Sequence, residues 1–343
     1  MSIYKYILIL ILKSISFAFL FVSVSQASNI KNSATVFMYH KFGVDKYPST
    51  SVTLSQFEEH IKEFKNDKYN ILALEFIIDT IINDGNLPDN TIGISVDDAD
   101  KSFFDTAWPI FRENNVPVTL FVTTGTIANN NKNYLNWNQI RKLKEEGVTI
   151  GAHSHTHAHM PDLTKEELIK EIEISNKIFL KELGEIPTLF AFPYGETSSE
   201  IIQVIKDYKF KVAFGQHSGV INETSNMYYL PRFSLNKKYG EIDRVKFAAS
   251  SKGLGVYDFI PYNPSITENP PFIGFSLLDE KLSSSLNCFI FDMKGQVERE
   301  IYKFNERVEI RLQRELSKGR SRINCTAKDS NGNWRWFGHQ FYN

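Results

Sequence analysis

From about Ala34 to Ser250 the chain alternates short apolar runs with amphipathic stretches. The runs are ATVFMYH (34–40), TIGISVDD (91–98), PVTLFVTTG (117–125), VTIGAHS (148–154), LFAFPYG (189–195) and FKVAFG (210–215). Helical patterns lie between them, including TLSQFEEHIKEFKND from Thr53 and TKEELIKEIEISNKIFLKELG from Thr164. Each opens on a capping box, Thr53 with Gln56 and Thr164 with Glu167, and the second closes on Gly184. A strand covered on both faces reads as a continuous apolar run. The pattern therefore predicts parallel strands separated by helices, in an α/β barrel or a doubly wound sheet.

The texture changes after Ser250. Residues 251–271 are rich in Gly, Pro, Asn and Ser and read as a linker. Residues 272–343 hold short runs between turn residues, which predicts a small antiparallel β domain. Its last run, WRWFGHQFY, places Trp334 and Trp336 on one face of a strand, suited either to stacking on sugar rings or to filling the core. The domain division is thus 32–250 followed by 272–343. Ahead of both, residues 1–27 carry a basic start, an apolar stretch and small residues before Ser28, which reads as a cleaved secretion signal. Membrane association is expected only if that segment stays attached.

In folds of this class the chemistry gathers at the C-terminal ends of the strands. There the sequence places His40, Asp97 with Asp98, His153, Tyr194 and His217. Adjacent carboxylates raise each other's proton affinity unless a cation intervenes. Asp97 and Asp98 also face opposite ways, so one suits a metal and the other a general base. Alone, the pair could equally be a helix cap with a solvated neighbour. IGAHSHTHAHM adds four of the chain's eight histidines. His153 ends its strand and His157 follows at i+4, whereas His155 and His159 read as loop residues. Asp98, His153 and His157 then form a His₂–carboxylate set that leaves a coordination position open, the arrangement of a catalytic zinc site.

These motifs resemble the polysaccharide deacetylases of the NodB-homology type, carbohydrate esterase family 4. SVDD matches the family's paired aspartates, HSHTH its His-[Ser/Thr]-x-x-His, and AFPYG, in part, its Arg-x-Pro-Tyr. The resemblance spans about residues 34–236. It implies a distorted (β/α) barrel, a divalent metal (usually zinc, Zn2+) on Asp98, His153 and His157, and Asp97 as base. It also implies the Tyr194 backbone N–H as oxyanion donor and an acetylated amino-sugar polysaccharide as substrate. Ala191 stands where the family often carries an arginine, and no Leu-x-His motif supplies the acid. In the branch similar to exported poly-N-acetylglucosamine deacetylases, Arg232 and His217 are the expected replacements. An O-acetyl esterase, a peptidoglycan deacetylase and a non-catalytic carbohydrate-binding protein on the same barrel are the alternatives.

With 39 Lys and Arg against 40 Asp and Glu, the formal charge of −1 gives no global attraction to nucleic acid. No GxGxxG or GxxxxGK[ST] loop is present. Export to the periplasm or beyond would make Cys288 and Cys325 a disulfide.

Overall fold

The computed structural model describes residues 30–128 and 131–343. The segment read as a secretion signal, residues 1–27, lies outside them. No helix among the described residues is long and apolar enough to cross a membrane.

Six of the expected runs form strands: β1 (Ala34–Tyr39), β5 (Thr91–Asp97), β6 (Thr119–Val122), β7 (Thr149–Ala152), β8 (Leu189–Ala191) and β9 (Val212–Phe214). With β10 (Phe233–Ser234) they make one parallel sheet in the order β10-β1-β5-β6-β7-β8-β9, and β4 (Asn70–Ile71) pairs beside the start of β5. A two-residue ribbon, β2 (Lys41–Phe42) with β3 (Ser51–Val52), follows β1. Every residue of β1 and β5 is buried, as the unbroken apolar runs require. The covering helices include α1 (Leu54–Phe64), α2 (Leu74–Ile82), α3 (Trp108–Glu113), α4 (Thr124–Ala128), α5 (Trp137–Glu145), α6 (Lys165–Leu183), α7 (Ser199–Asp207) and α8 (Ile242–Ser250). Both expected capping boxes form, and Gly184 ends α6 at φ 76°. This curved parallel sheet with its helices is the distorted barrel expected from the sequence. Aromatic residues pack in the core between the sheet and its helices, Phe42 and Phe57 meeting edge to face at 4.8 Å.

The C-terminal β domain holds two sheets. One runs β11 (Lys252–Gly253), β19 (Trp334–Tyr342), β18 (Arg320–Lys328), β14 (Asn287–Asp292), β15 (Gly295–Val297). The other runs β12 (Val256–Ile260), β13 (Ile273–Leu277), β17 (Arg307–Leu312), β16 (Arg299–Phe304). Between them lies a separate core built on Phe275, Ile290, Ile310, Ile323 and Phe341. Cys288 and Cys325 are opposite each other on β14 and β18 and are bonded. The stretch read as a linker thus contributes β11 and β12. Only Val256 of β12 is fully buried, so the strand carries too little apolar signal to stand out among the Gly, Pro and Asn of its flanking turns.

Candidate active site

The end of β5 sets the centre. After Asp97 the chain turns sharply, with Asp98 at φ 74° and Ala99 at φ 57°. These are left-handed conformations that cost an L residue energy, and such conformations gather at functional sites. Asp97 is fully buried and stays with the barrel interior. Arg232 meets it side by side, Nη1 donating to Oδ1 at 2.7 Å and Nη2 to Oδ2 at 2.9 Å. The remaining guanidinium donors reach Ser95 Oγ and the Gly215 carbonyl, and the group lies against the rings of Phe121 and Phe214. Burial opposes charge on Asp97, but Arg232 outweighs it and holds the carboxyl below its ordinary range.

Asp98 faces the histidines instead. Its Oδ1 is 3.5 Å from His153 Nε2 and 3.3 Å from His157 Nε2. The His153 Nδ1–H donates to the Ala191 carbonyl at 2.7 Å, which leaves Nε2 as the free lone pair. His157 arrives by a turn, and not by the extended or helical i+4 spacing assumed from the sequence. Ser154 and His157 both take positive φ, and the His157 N–H donates to Ser154 Oγ. Glu171 on α6 pins that turn from behind, accepting from the N–H groups of His155 and Thr156 and from the Thr156 hydroxyl. A buried carboxylate on a helix face is a visible signal, yet its target cannot be read from the chain.

The donor atoms of Asp98, His153 and His157 all lie within 4.8 Å of one another. Among the described residues, Asp98 Oδ1 and His153 Nε2 are buried without a hydrogen-bond partner. Unpartnered buried polar atoms are costly, and a cation coordinated by both would relieve them. The residues therefore fit a divalent metal. Burial opposes charge on Asp98 as well, but the facing imidazoles of His153 and His157 hold its carboxyl well below the usual range. His153 is raised, since Asp98 and Asp97 outweigh a burial that works the other way.

These groups open into a groove of about 830 Å³. His40, Asp98, His157 and Tyr194 line its floor, and Gln216 and Ser218 line one side. His217, expected here as the acid, lies elsewhere. The chain bends at Gln216 and His217 after β9, and Gln216 and Ser218 line the groove while His217 does not. It lines a second cavity of about 570 Å³ with Tyr229 and His339, between the barrel and the C-terminal sheets. Burial, then the nearby His339, Arg322 and Arg232, push its proton affinity well down. His40, placed by the sequence at a strand end without an assigned role, lies in the groove. It directly follows β1, and burial lowers its proton affinity while Asp98 and Asp97 oppose that shift.

Tyr194 sits at φ 58° after β8, its ring 4.6 Å from His157 and stacked at 4.1 Å on His159. His159 Nδ1 donates to Glu196, and His155 Nδ1 lies 3.0 Å from the Thr124 hydroxyl. Neither ring belongs to the ligand set. Both domains secure the Tyr194 turn: buried Gln340 of the C-terminal domain donates to the carbonyls of Tyr194 and Gly195, and the Tyr229 hydroxyl of the barrel donates to the Gly195 carbonyl.

Residues 84–213 match the family model described as polysaccharide deacetylase. The chain is 29% identical over 213 residues to the poly-beta-1,6-N-acetyl-D-glucosamine N-deacetylase of Staphylococcus aureus, covering 58% of this chain and 73% of that protein. The deacetylase PplD of Streptococcus pyogenes superposes with a TM-score of 0.59 at 17% identity, over 64% of this chain and 99% of that one. IcaB from Ammonifex degensii superposes at 0.57 and 17% identity, over 64% and 97%. At these identities the superpositions speak for the fold.

Proposed function

We propose, on the premise that the chain carries a polysaccharide deacetylase domain and is a hydrolase of that class, that it removes N-acetyl groups from a poly-N-acetylglucosamine-like amino-sugar polymer. The observation that carries this reading is the division of labour between two adjacent carboxylates: Asp98 facing the imidazoles of His153 and His157, Asp97 on Arg232. A binding protein on this barrel would need no such pair.

Asp98, His153 and His157 would hold the divalent metal, usually zinc, which supplies Lewis-acid activation of water and of the acetyl carbonyl. Asp97, kept ionised by Arg232, is the base that takes the water proton. The Tyr194 backbone N–H, on the turn held by Gln340 and Tyr229, donates to the developing oxyanion. His40 takes the acid role first given to His217, since it shares the groove with Asp98. Burial lowers the proton affinity of His40, and Asp98 and Asp97 offset this only in part, so a proton that reaches its ring during the reaction passes readily to the departing amine. We read residues 1–27 as the secretion signal, 32–250 as the catalytic unit, and the product as exported to the periplasm or beyond.

The test is acetate release from soluble N-acetylglucosamine oligomers by purified, metal-loaded protein, with the free amine counted in parallel. Equal acetate and amine support N-deacetylation. Acetate without amine, from an O-acetylated polymer, assigns an esterase. No acetate from any acetylated glycan, with metal bound, overturns the enzyme reading.

A further inference from the structure

The groove is not made by the barrel alone. Strand β18 alternates, with Ser321, Ile323 and Cys325 buried in the C-terminal core. The intervening side chains Arg320, Arg322 and Asn324 share the opposite face and line the same cavity as Asp98 and His157. Arg244 and Lys238 enter it from the barrel side. Four cations therefore face a groove whose only lining carboxylate, among the described residues, is the metal ligand Asp98.

Their partners matter more than their number. Arg320 reaches Glu196 at 3.5 Å. Arg322 donates from Nε to Gln340, and Arg244 donates to the carbonyls of Ser234 and Tyr239. Among the described residues neither Arg322 nor Arg244 has a carboxylate within 4.0 Å, and both are only partly exposed. Burial lowers the proton affinity of each, Arg244 to about 10. Glu196 acts on Arg322 only from beyond 4.0 Å, and a half-buried guanidinium with no carboxylate in contact is an unfavourable arrangement that a bound anion would relieve.

We infer that Arg322 and Arg244 form a subsite for an anionic substituent, a carboxylate or a phosphate, on the polymer whose acetamido sugar lies over Asp98. The inference rests on the deacetylase reading and specifies that the N-acetylglucosamine-containing polymer also carries acidic substituents. The fork of each guanidinium matches both anions in two-point contact. Trp336 lines the same groove and offers an apolar ring beside the cations, its Nε1–H held by Asn324. The same cationic wall disfavours neighbouring sugars already stripped to ammonium groups.

The experiment uses the intact, metal-loaded chain and three oligomers of equal length: all N-acetylglucosamine, one with alternate sugars bearing a carboxylate, and one with alternate sugars bearing a phosphate. Binding is measured by calorimetry and kcat/KM by acetate release. The expected result is a preference for one or both anionic oligomers of about tenfold or more, which shrinks as salt rises. The two anionic arms identify the source of the charge. Arg322→Gln and Arg244→Gln are read separately, because one stands on the C-terminal sheet and the other on the barrel. Each should cut the preference severalfold, whereas Lys177→Gln on the exposed face of α6 should not. Equal affinity of the wild type for neutral and anionic oligomers, or a preference unmoved in both variants, overturns the subsite. Binding preference without acetate from any oligomer keeps the subsite and overturns the deacetylase reading.

Discussion

Strand β5 of the barrel and strand β18 of the C-terminal domain both serve the groove, and they do so in opposite ways. All seven residues of β5 are buried, so the strand can present chemistry only where it stops, at Asp97 and Asp98. Strand β18 buries every second residue on its own core and offers the others along its length. A parallel strand under helices gives a point of precise chemistry, while a half-covered antiparallel strand gives a row of contacts. The first arrangement suits a metal and a base. The second suits recognition of a long, repeating ligand.

If the point chemistry belongs to β5 and β7, the largest effects come from removing its ligands. His153→Ala or His157→Ala should abolish both metal retention and acetate release, whereas His155→Ala should keep the metal. Elemental analysis of the purified variants checks this, and loss of metal from His155→Ala alone would overturn the ligand set. Asp97→Asn comes next. It should keep metal and fold and lose roughly 10²–10⁴ in rate, the usual scale for a general base. Full activity would remove Asp97 from the mechanism, and metal loss would make it a ligand.

The same comparison explains what could be read from the sequence. The unbroken apolar runs specified the parallel sheet, and the rule of strand ends then led to Asp97, Asp98, His153 and Tyr194. His217 was misplaced because a strand end fixes where a side chain starts and not which way the following loop turns it. His40 was given no role for the same reason. Arg320 and Arg322 carried no signal as site residues, since their place in the groove depends on how one domain packs on the other. Arg232 could be named from its family likeness, but its two-point contact with Asp97 spans 135 residues of sequence and is a product of the fold.

A smaller effect separates the strand end from its support. Arg232→Gln should leave metal content unchanged while stranding a buried carboxylate, at a cost of about 3–5 kcal/mol. Without the guanidinium, burial raises the Asp97 pKa, so the acid limb of kcat/KM should move to higher pH. The sign for stability is fixed by the depressed value in the folded wild type. The pair's contribution is complete above the ordinary carboxylate value of about 3.9 and is lost as pH falls through the lower folded value. In Arg232→Gln that contribution is gone, and the variant should unfold at higher pH on acid titration. An acid limb that does not move would show that Arg232 does not set the state of Asp97.

The smallest effect tests the row of contacts. The Cys288–Cys325 bond joins β14 to β18 across a sequence separation of 37, which contributes about 4 kcal/mol on the chain-entropy account. Both cysteines lie in the C-terminal domain, and Asp97, Asp98, His153 and His157 all lie in the barrel, so reduction should leave metal content unchanged. Strand β18 also carries Arg320 and Arg322, and its neighbour β19 carries Gln340, which holds the Tyr194 turn. Loosening the sheet should therefore reach the groove wall first. The expected result is a severalfold rise in KM on oligomers with kcat changed less, and earlier hydrogen exchange in β14 and β18 than in β5. Metal loss on reduction would mean that the barrel depends on the bond. An unchanged KM, with exchange in β18 accelerated, would mean that the ordered strand contributes nothing to binding, and the groove would then belong to the barrel alone.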